Sequence, residues 1–461
     1  MPAVPFGLQS YQHASLPVSA QQMVNSYLEP APPGSKTPYV VVCCFGIKDY
    51  LRFGTGPMRG GIVVNKTFYV VSGTQLYSVS DIGLVTALGT IPGGGPVFMD
   101  GDGSHVMVTV NGPAYLWDGA VTSQISDPDF PGYEWVAFLD GYMIGGPGDG
   151  RVYVNHTAFD PSNWNALDFA SAEAAPDDVV VGITNHREVF LFGRDSTEVW
   201  YDSGDPAFPL TRTASGYMEV GCTSKYGPQN VDNTIYFPAH DGTVRRVEGY
   251  TPVRVSTTAM EQAIAKYASQ ECVGNAWIEN GHAMYSLTYA EATWVLDIST
   301  KFWHERKSYG IQNWRAAFTI RGNNLTLVGD RTSNRLGILD ADTFTEWGDP
   351  LVSKVTSPTI PHPDNLPTLP HAYLELVFEQ GVGLNDGQGS DPQVMVQYSD
   401  DDGRTWGNEI WRSLGKIGQR RRSTRINRLG TTERNQGRCY TYSISDAVRR
   451  TLVQAFTDSV T

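Results

Sequence analysis

Ser399, Asp401, Gly403, Thr405 and Trp406 fit the spacing S-x-D-x-G-x-T-W of an Asp box. The chemistry of such a turn is local. Its aspartate accepts backbone N–H groups, its glycine takes a positive φ and its tryptophan packs the hairpin. Other reactive side chains are scattered. The nine histidines form no H-E-x-x-H pair, and the five cysteines (Cys43, Cys44, Cys222, Cys272, Cys439) have no C-x-x-C spacing. Asp100, Asp102, Asp127 and Asp129 lie in acid-rich turns without the ligand spacing of an EF-hand, and turn chemistry alone accounts for them. No G-x-S-x-G elbow or phosphate-binding G-x-x-x-x-G-K-[ST] loop occurs, and Gly93-Gly94-Gly95-Pro96 reads as a turn. The residues therefore point to a non-enzymatic protein with no catalytic, metal or cofactor-binding residue and no cofactor.

The second feature is a run of cations. Nine basic residues between Arg412 and Arg438, among them Lys416, Arg420, Arg421, Arg422, Arg425 and Arg428, face one acid, Glu433. The window carries +8 within a chain of −14, which leaves −22 for the remainder. A body so acidic repels phosphate, so any contact with nucleic acid is local. Three readings stand: docking on an acidic protein surface such as a neighbouring copy, contact with DNA phosphates, or a solvated face. No aromatic lies between Arg412 and Arg438, which disfavours reading of single-stranded bases. The odd cysteine count favours reduced thiols and a cytoplasmic site of synthesis. The N-terminus lacks a signal-peptide pattern, and no stretch approaches the ~18 apolar residues of a membrane span, so membrane insertion is not expected.

The elements that would position these residues are short strands. Gly (48), Pro (28), Tyr (23) and Trp (11) are abundant, a composition of turns and aromatics that favours β structure. Between residues 58 and 350 pairs of alternating apolar runs flank Gly, Asn or Asp turns, as in 67–80, 105–119, 134–155, 187–204, 233–249, 282–306 and 323–347. Seven such units predict a β-propeller-like central domain of about seven blades, with six or eight compatible. The segment beginning at Ser256 predicts one short capped helix. Residues 1–57 read as an extended N-terminal arm with a polyproline-like stretch at 30–38, residues 351–370 as a Pro-rich linker, and residues 371–461 as a small C-terminal β domain carrying the arginine segment.

The stretch from Tyr398 to Phe456 combines the Asp-box turn, an LGKIGQ element followed by arginines, R-x-x-R-L-G and Y-x-I-S-D. The N-terminal part offers NSYLEPAPPGSKTP, GPMRGG and FYVVSGTQLYSV. Together these resemble the packaged-DNA stabilisation proteins of short-tailed phages. The resemblance implies a structural tail hub or nozzle in the virion, assembled in the host cytoplasm as a ring of typically six copies below the portal and its adaptor. Such a protein closes the channel, retains packaged DNA and anchors the tail needle or plug and the tail fibres or tailspikes. The competing reading is a glycan-binding or receptor-binding propeller of sialidase-like Asp-box type. Even in sialidases, however, the box is a fold-stabilising hairpin without a catalytic group.

Overall fold

The computed structural model describes residues 4, 6–172, 177–360, 362, 366–420, 422–434 and 436–458. Strands dominate. Five antiparallel four-stranded sheets follow one another along the chain at 58–90, 98–124, 135–171, 179–218 and 229–254. A sixth unit spans 273–305 and a seventh begins at 316–340. These are the blades of a propeller. The innermost strand of blade 1, Met58–Val64, touches that of blade 2, Phe98–Gly101, and that of blade 7, Ala316–Gly322, so the ring closes.

Local sequence explains the repeated hairpins. In six blades the first two strands join through two residues that both have positive φ: Asn65-Lys66, Asp140-Gly141, His186-Arg187, Asp232-Asn233, Asn280-Gly281 and Asn323-Asn324. This type I′ geometry matches the right-handed twist of the strands, and Asn, Asp and Gly tolerate it best. Between blades, flat strand faces pack through large side chains set against small ones. Trp135 is fully buried against Gly182, where a Cβ would come within 2.3 Å of the indole ring.

The N-terminal segment differs from the expected arm. Gly46–Arg52 is the fourth strand of blade 7, pairing along Arg335–Asp340 and so joining the start of the propeller to its end. Ala20–Val24 runs parallel to Phe302–Glu305, the outer strand of blade 6, and antiparallel to Ser353–Thr356. The stretch at 30–38 is the loop of a hairpin between Ser26–Pro30 and Tyr39–Cys43, closed by Ala31 N–H donating to Pro38 O at 2.8 Å. For Gly46–Arg52 and Ala20–Val24 the physical reason is that their partners at 302–305, 335–340 and 353–356 lie hundreds of residues away, so no local period marks these two pieces as sheet, whereas the apolar run at 40–45 reads as a strand by itself.

The C-terminal domain is a β-sandwich. One sheet orders Ser26–Pro30, Tyr39–Cys43, Leu452–Thr457, Tyr373–Phe378 and Thr424–Asn427. The other continues blade 6 through Ala20–Val24, Ser353–Thr356, Cys439–Ile444, Gln393–Ser399 and Ile410–Ser413. Leu28, Val41 and Leu374 of the first sheet meet Met23, Val355, Val396 and Tyr442 of the second in one core. Ser353–Thr356 and Thr368–Pro370 are strands within the stretch expected to be a linker, of which residues 361 and 363–365 lie outside the described residues. The helix Thr258–Ile264 lies between blades 5 and 6, with the Thr257 hydroxyl accepting from Met260 N–H at the N-cap.

Candidate partner-binding face of the C-terminal sandwich

The Asp box forms the turn after Gln393–Ser399. The Ser399 hydroxyl donates to Asp401 Oδ1 (2.6 Å) and accepts from Gly403 N–H (2.8 Å). Asp401 accepts Thr405 N–H (2.8 Å) and the Thr405 hydroxyl (2.6 Å). Desolvation acts to raise the Asp401 carboxyl, but the hydrogen bonds from Ser399 and Thr405 outweigh it and hold the pKa down to about 2. Gly403, at φ +88, occupies a place where a side chain would point at Ala20, the half-buried Trp406 and Cys439. A Cβ there would come within 2.9 Å of Ala20, so the turn lies close against the N-terminal strand.

The neighbouring aspartates have separate tasks. Asp400 pairs with the guanidinium of Arg438, which is 2% exposed, lies against the Tyr398 ring at 4.4 Å and donates to Leu429 O. Asp402 accepts the Thr359 hydroxyl at 3.2 Å. Arg438, which by sequence is the last of the cationic run, is therefore an interior residue whose charge is neutralised in place.

Six of the other cations lie where the sandwich opens, while Arg434 follows Thr431–Glu433, a strand paired with Thr368–Pro370 in a separate two-stranded sheet. Arg412 lies on Ile410–Ser413 and Arg425 on Thr424–Asn427, the last strands of the two sheets. Arg412 Nε donates to Arg425 O at 3.4 Å across the gap. Lys416, Arg420 and Arg422 lie on the connecting loop, with Arg422 Nε donating to Ser413 O, and Arg428 follows the strand at φ +63. All six side chains are exposed, and Arg421 lies outside the described residues. Arg425 stacks on Tyr373 at 3.8 Å and sits 3.9 Å from Glu375. Among the described residues the other five cations have no ion-pair partner. Charge on an edge strand blocks unwanted strand pairing, so part of this basic character serves the fold. A single edge cation suffices for that, whereas this cluster extends over the loop.

Two exposed apolar side chains accompany the run. Trp411 immediately precedes it and is 54% exposed, and Ile417 within it is 55% exposed. Trp411 lies opposite Met395 and Arg412 opposite the buried Val394, so the two side chains point to opposite faces of their sheet, and the Trp411 indole donates to Glu409 at 3.1 Å. No group of three or more His, Cys, Asp or Glu suited to hold a metal occurs among the described residues. Asp102 accepts Ser104 and His105 N–H, and Asp127 accepts Asp129 N–H, so the acid-rich turns are occupied with their own backbone. All five cysteines are free and buried, and burial pushes the Cys222 and Cys439 thiols up, Cys439 to about 12.

The sheets together define a propeller fused to a β-sandwich that carries an exposed basic segment. Family models place it more closely. The model described as "Bacteriophage P22 Gp10, beta-propeller" matches residues 7–344, and "Bacteriophage P22 Gp10, beta-sandwich" matches residues 366–457. The chain belongs to this family, a phage packaged-DNA stabilisation protein family. The first match begins at residue 7, in keeping with the N-terminal strand that closes blade 7.

No curated protein sequence matches the chain significantly. Similar solved structures include the computationally designed Ika8 protein (16% identity, 69% of this chain and 99% of that chain, TM-score 0.39). A chain of the mitotic checkpoint complex is 12% identical over 67% of this chain and 96% of its own length, with a TM-score of 0.42. Chaetomium thermophilum Raptor is 10% identical over 64% of this chain and 29% of its own, with a TM-score of 0.39. At these scores the overlap is too small to specify a shared fold.

Proposed function

We propose that the chain is the tail hub or nozzle of a short-tailed phage. In this reading several copies form a ring, six by family resemblance, beneath the portal and its adaptor. The ring closes the channel, retains the packaged DNA and offers attachment to the tail needle and to fibres or spikes. Family membership supports the DNA-retention role. The observation that carries the reading is the exposed face of Arg412, Lys416, Arg420, Arg422, Arg425 and Arg428 on an otherwise strongly acidic chain. Such a face binds an anionic partner, either acidic protein or the phosphates of channel DNA, with a salt dependence that reports the number of phosphates met.

Arg420, Arg421 and Arg422 changed together to Ser test it. The expected outcome is virions that assemble poorly or lose DNA, measured as the fraction of filled heads and the nuclease-sensitive DNA after packaging. Fully filled, stable virions would show that the segment is only solvated surface. Cryo-electron microscopy of purified tails tests the ring itself, and absence of the chain from the portal exit would overturn the hub.

A further inference from the structure

The joint between propeller and sandwich holds a pocket of about 300 Å³, on whose wall Lys307 and Lys354 stand and to which no carboxylate contributes. Three segments meet there: the strand Ala20–Val24, the loop 306–315 that leaves blade 6, and the strand Ser353–Thr356. One buried residue sets their spacing. Asn25 Nδ2 donates to Lys307 O and to Val352 O, both at 2.8 Å, and its Oδ1 accepts Lys307 N–H at 2.9 Å. The Ser353 hydroxyl donates to Asn25 O at 3.1 Å. Asn25 is 1% exposed and sits at φ +51, a left-handed conformation that asparagine tolerates better than most residues. The backbone carrying both lysines is thus fixed before any ligand arrives. A turn at the lip, closed by Ile311 N–H donating to Ser308 O at 3.3 Å with Gly310 at φ +76, leaves Tyr309 exposed.

Strand register decides where Lys354 points. Val355 is fully buried in the sandwich core, so the adjacent Lys354 lies on the other face of the sheet, beside Val24 and Ser443 of the flanking strands. Neither neighbour carries charge. Among the described residues the Lys354 ammonium has no ion-pair or hydrogen-bond partner. Glu305 stands in the same cross-strand row, two strands away, and its oxygens are engaged. Its Oε2 lies 2.9 Å from Lys307 Nζ, while Oε1 accepts Gln22 Nε2 at 3.0 Å and the Ser10 hydroxyl at 3.3 Å. Burial, and next the repulsion of Lys307, hold the Lys354 pKa below the ordinary lysine value against the opposing pull of Glu305. Two ammonium groups and one carboxylate leave one positive charge at the cavity, and a half-buried charge without a partner is costly.

We propose that this pocket binds a single oxyanion, a phosphate or carboxylate group, between Lys354 and Lys307. The anion supplies the acceptor that Lys354 lacks and offsets the repulsion between the two lysines. Because Lys307 belongs to the exit loop of blade 6 and Lys354 to the sandwich, it also clamps the two domains at their joint. The site is distinct from the cationic segment: Ile410–Ser413 lies three strands from Ser353–Thr356 in the same sheet.

The test is isothermal titration calorimetry of the full-length chain with sodium phosphate and, separately, with sodium acetate, each compared with sodium chloride at equal ionic strength. Saturable binding of at least one is expected, and which of them binds tells a phosphoryl from a carboxylate ligand. Lys354→Met should weaken that binding at least ~10-fold, whereas Lys354→Arg, which keeps the charge, should retain it. Melting curves give a second reading. In chloride alone Lys354→Met should melt no lower than the unaltered chain, since it removes an unpartnered charge, and the binding anion should raise the Tm of the unaltered and Arg chains only. Should the Met variant fail to fold, Lys354→Gln takes its place in the titration. Absence of saturable binding by both anions would overturn the site. Equal binding by the neutral variants would overturn it too, by placing the anion elsewhere on the chain.

Discussion

His282 lies with Nδ1 2.7 Å from Asp297 and Nε2 2.7 Å from Glu29, a geometry that uses both ring nitrogens as donors and therefore holds the imidazolium. Asp297 belongs to blade 6 and Glu29 to the N-terminal strand Ser26–Pro30 of the sandwich, so one side chain fastens the two domains. The hydrogen bond with Asp297 raises the His282 pKa against the opposing effect of burial, with Glu29 adding to the rise. Nearby His304 is pushed the other way, to about 3 by desolvation, and stays neutral, while the Tyr27 ring packs between them. Because the folded value lies above the unfolded one, the fastening stabilises fully below the ordinary histidine value of 6.5 and fades as pH rises through the folded pKa. His282→Gln is expected to cost about 3 kcal/mol in mildly acidic buffer, because the buried Asp297 keeps its hydrogen bonds from Ser299 and Thr300 but loses the imidazolium that balances its charge. That difference from the unaltered chain should shrink steadily in alkaline buffer, as read by denaturant unfolding. A constant difference across the range would show that the contact is only steric.

At the scale of elements, the seam of the propeller is the strand Gly46–Arg52. Ile47 is fully buried with Val328, Leu339 and Trp347, and Trp347 N–H donates to Ile47 O at 2.8 Å. Gly46 has no room for a side chain, since a Cβ would come within 2.4 Å of Thr343 O. Sealing a circular array with a strand from the other end of the chain makes blade 7 stable only when both termini of the propeller are in place. Ile47→Ala removes most of that side chain from a closed core and is expected to cost about 3 kcal/mol. Hydrogen exchange should then speed up first in Gly46–Arg52 and its partner Arg335–Asp340, ahead of blades 2 to 5. Uniform acceleration across all blades would mean that the seam does not open separately.

At the scale of the whole molecule, the N-terminal segment makes one body of two domains. Ala20–Val24 bridges blade 6 to the sandwich, and Ser26–Pro30 with Tyr39–Cys43 completes the other sandwich sheet. Deleting residues 1–30 is therefore expected to leave a folded propeller with a disrupted sandwich, seen in calorimetry as the loss of the single cooperative transition of the full chain and as protease cleavage after residue 350. A truncated chain that still unfolds in one unaltered transition would show that the segment only decorates the surface.

The same scale separates what was legible in the sequence from what was not. Paired apolar alternation around Asn, Asp and Gly turns is a local signal, because hairpin partners are neighbours in the chain. Hence the central β-propeller was readable, as was the Asp-box spacing from Ser399 to Trp406. The cations from Arg412 to Arg428 were equally plain as a charge excess. Sequence could not show that residues 1–57 would be strands of both domains, because the partners of Gly46–Arg52 and Ala20–Val24 lie about three hundred residues away and pairing at that distance leaves no local period. Nor could it separate Arg438, buried against Asp400 and Tyr398, from the exposed arginines before it. The type of each residue and its near neighbours determined the hairpins, the turns and the charge. Burial and long-range pairing, which depend on the whole chain having folded, decided which charges face a partner and which hold the fold.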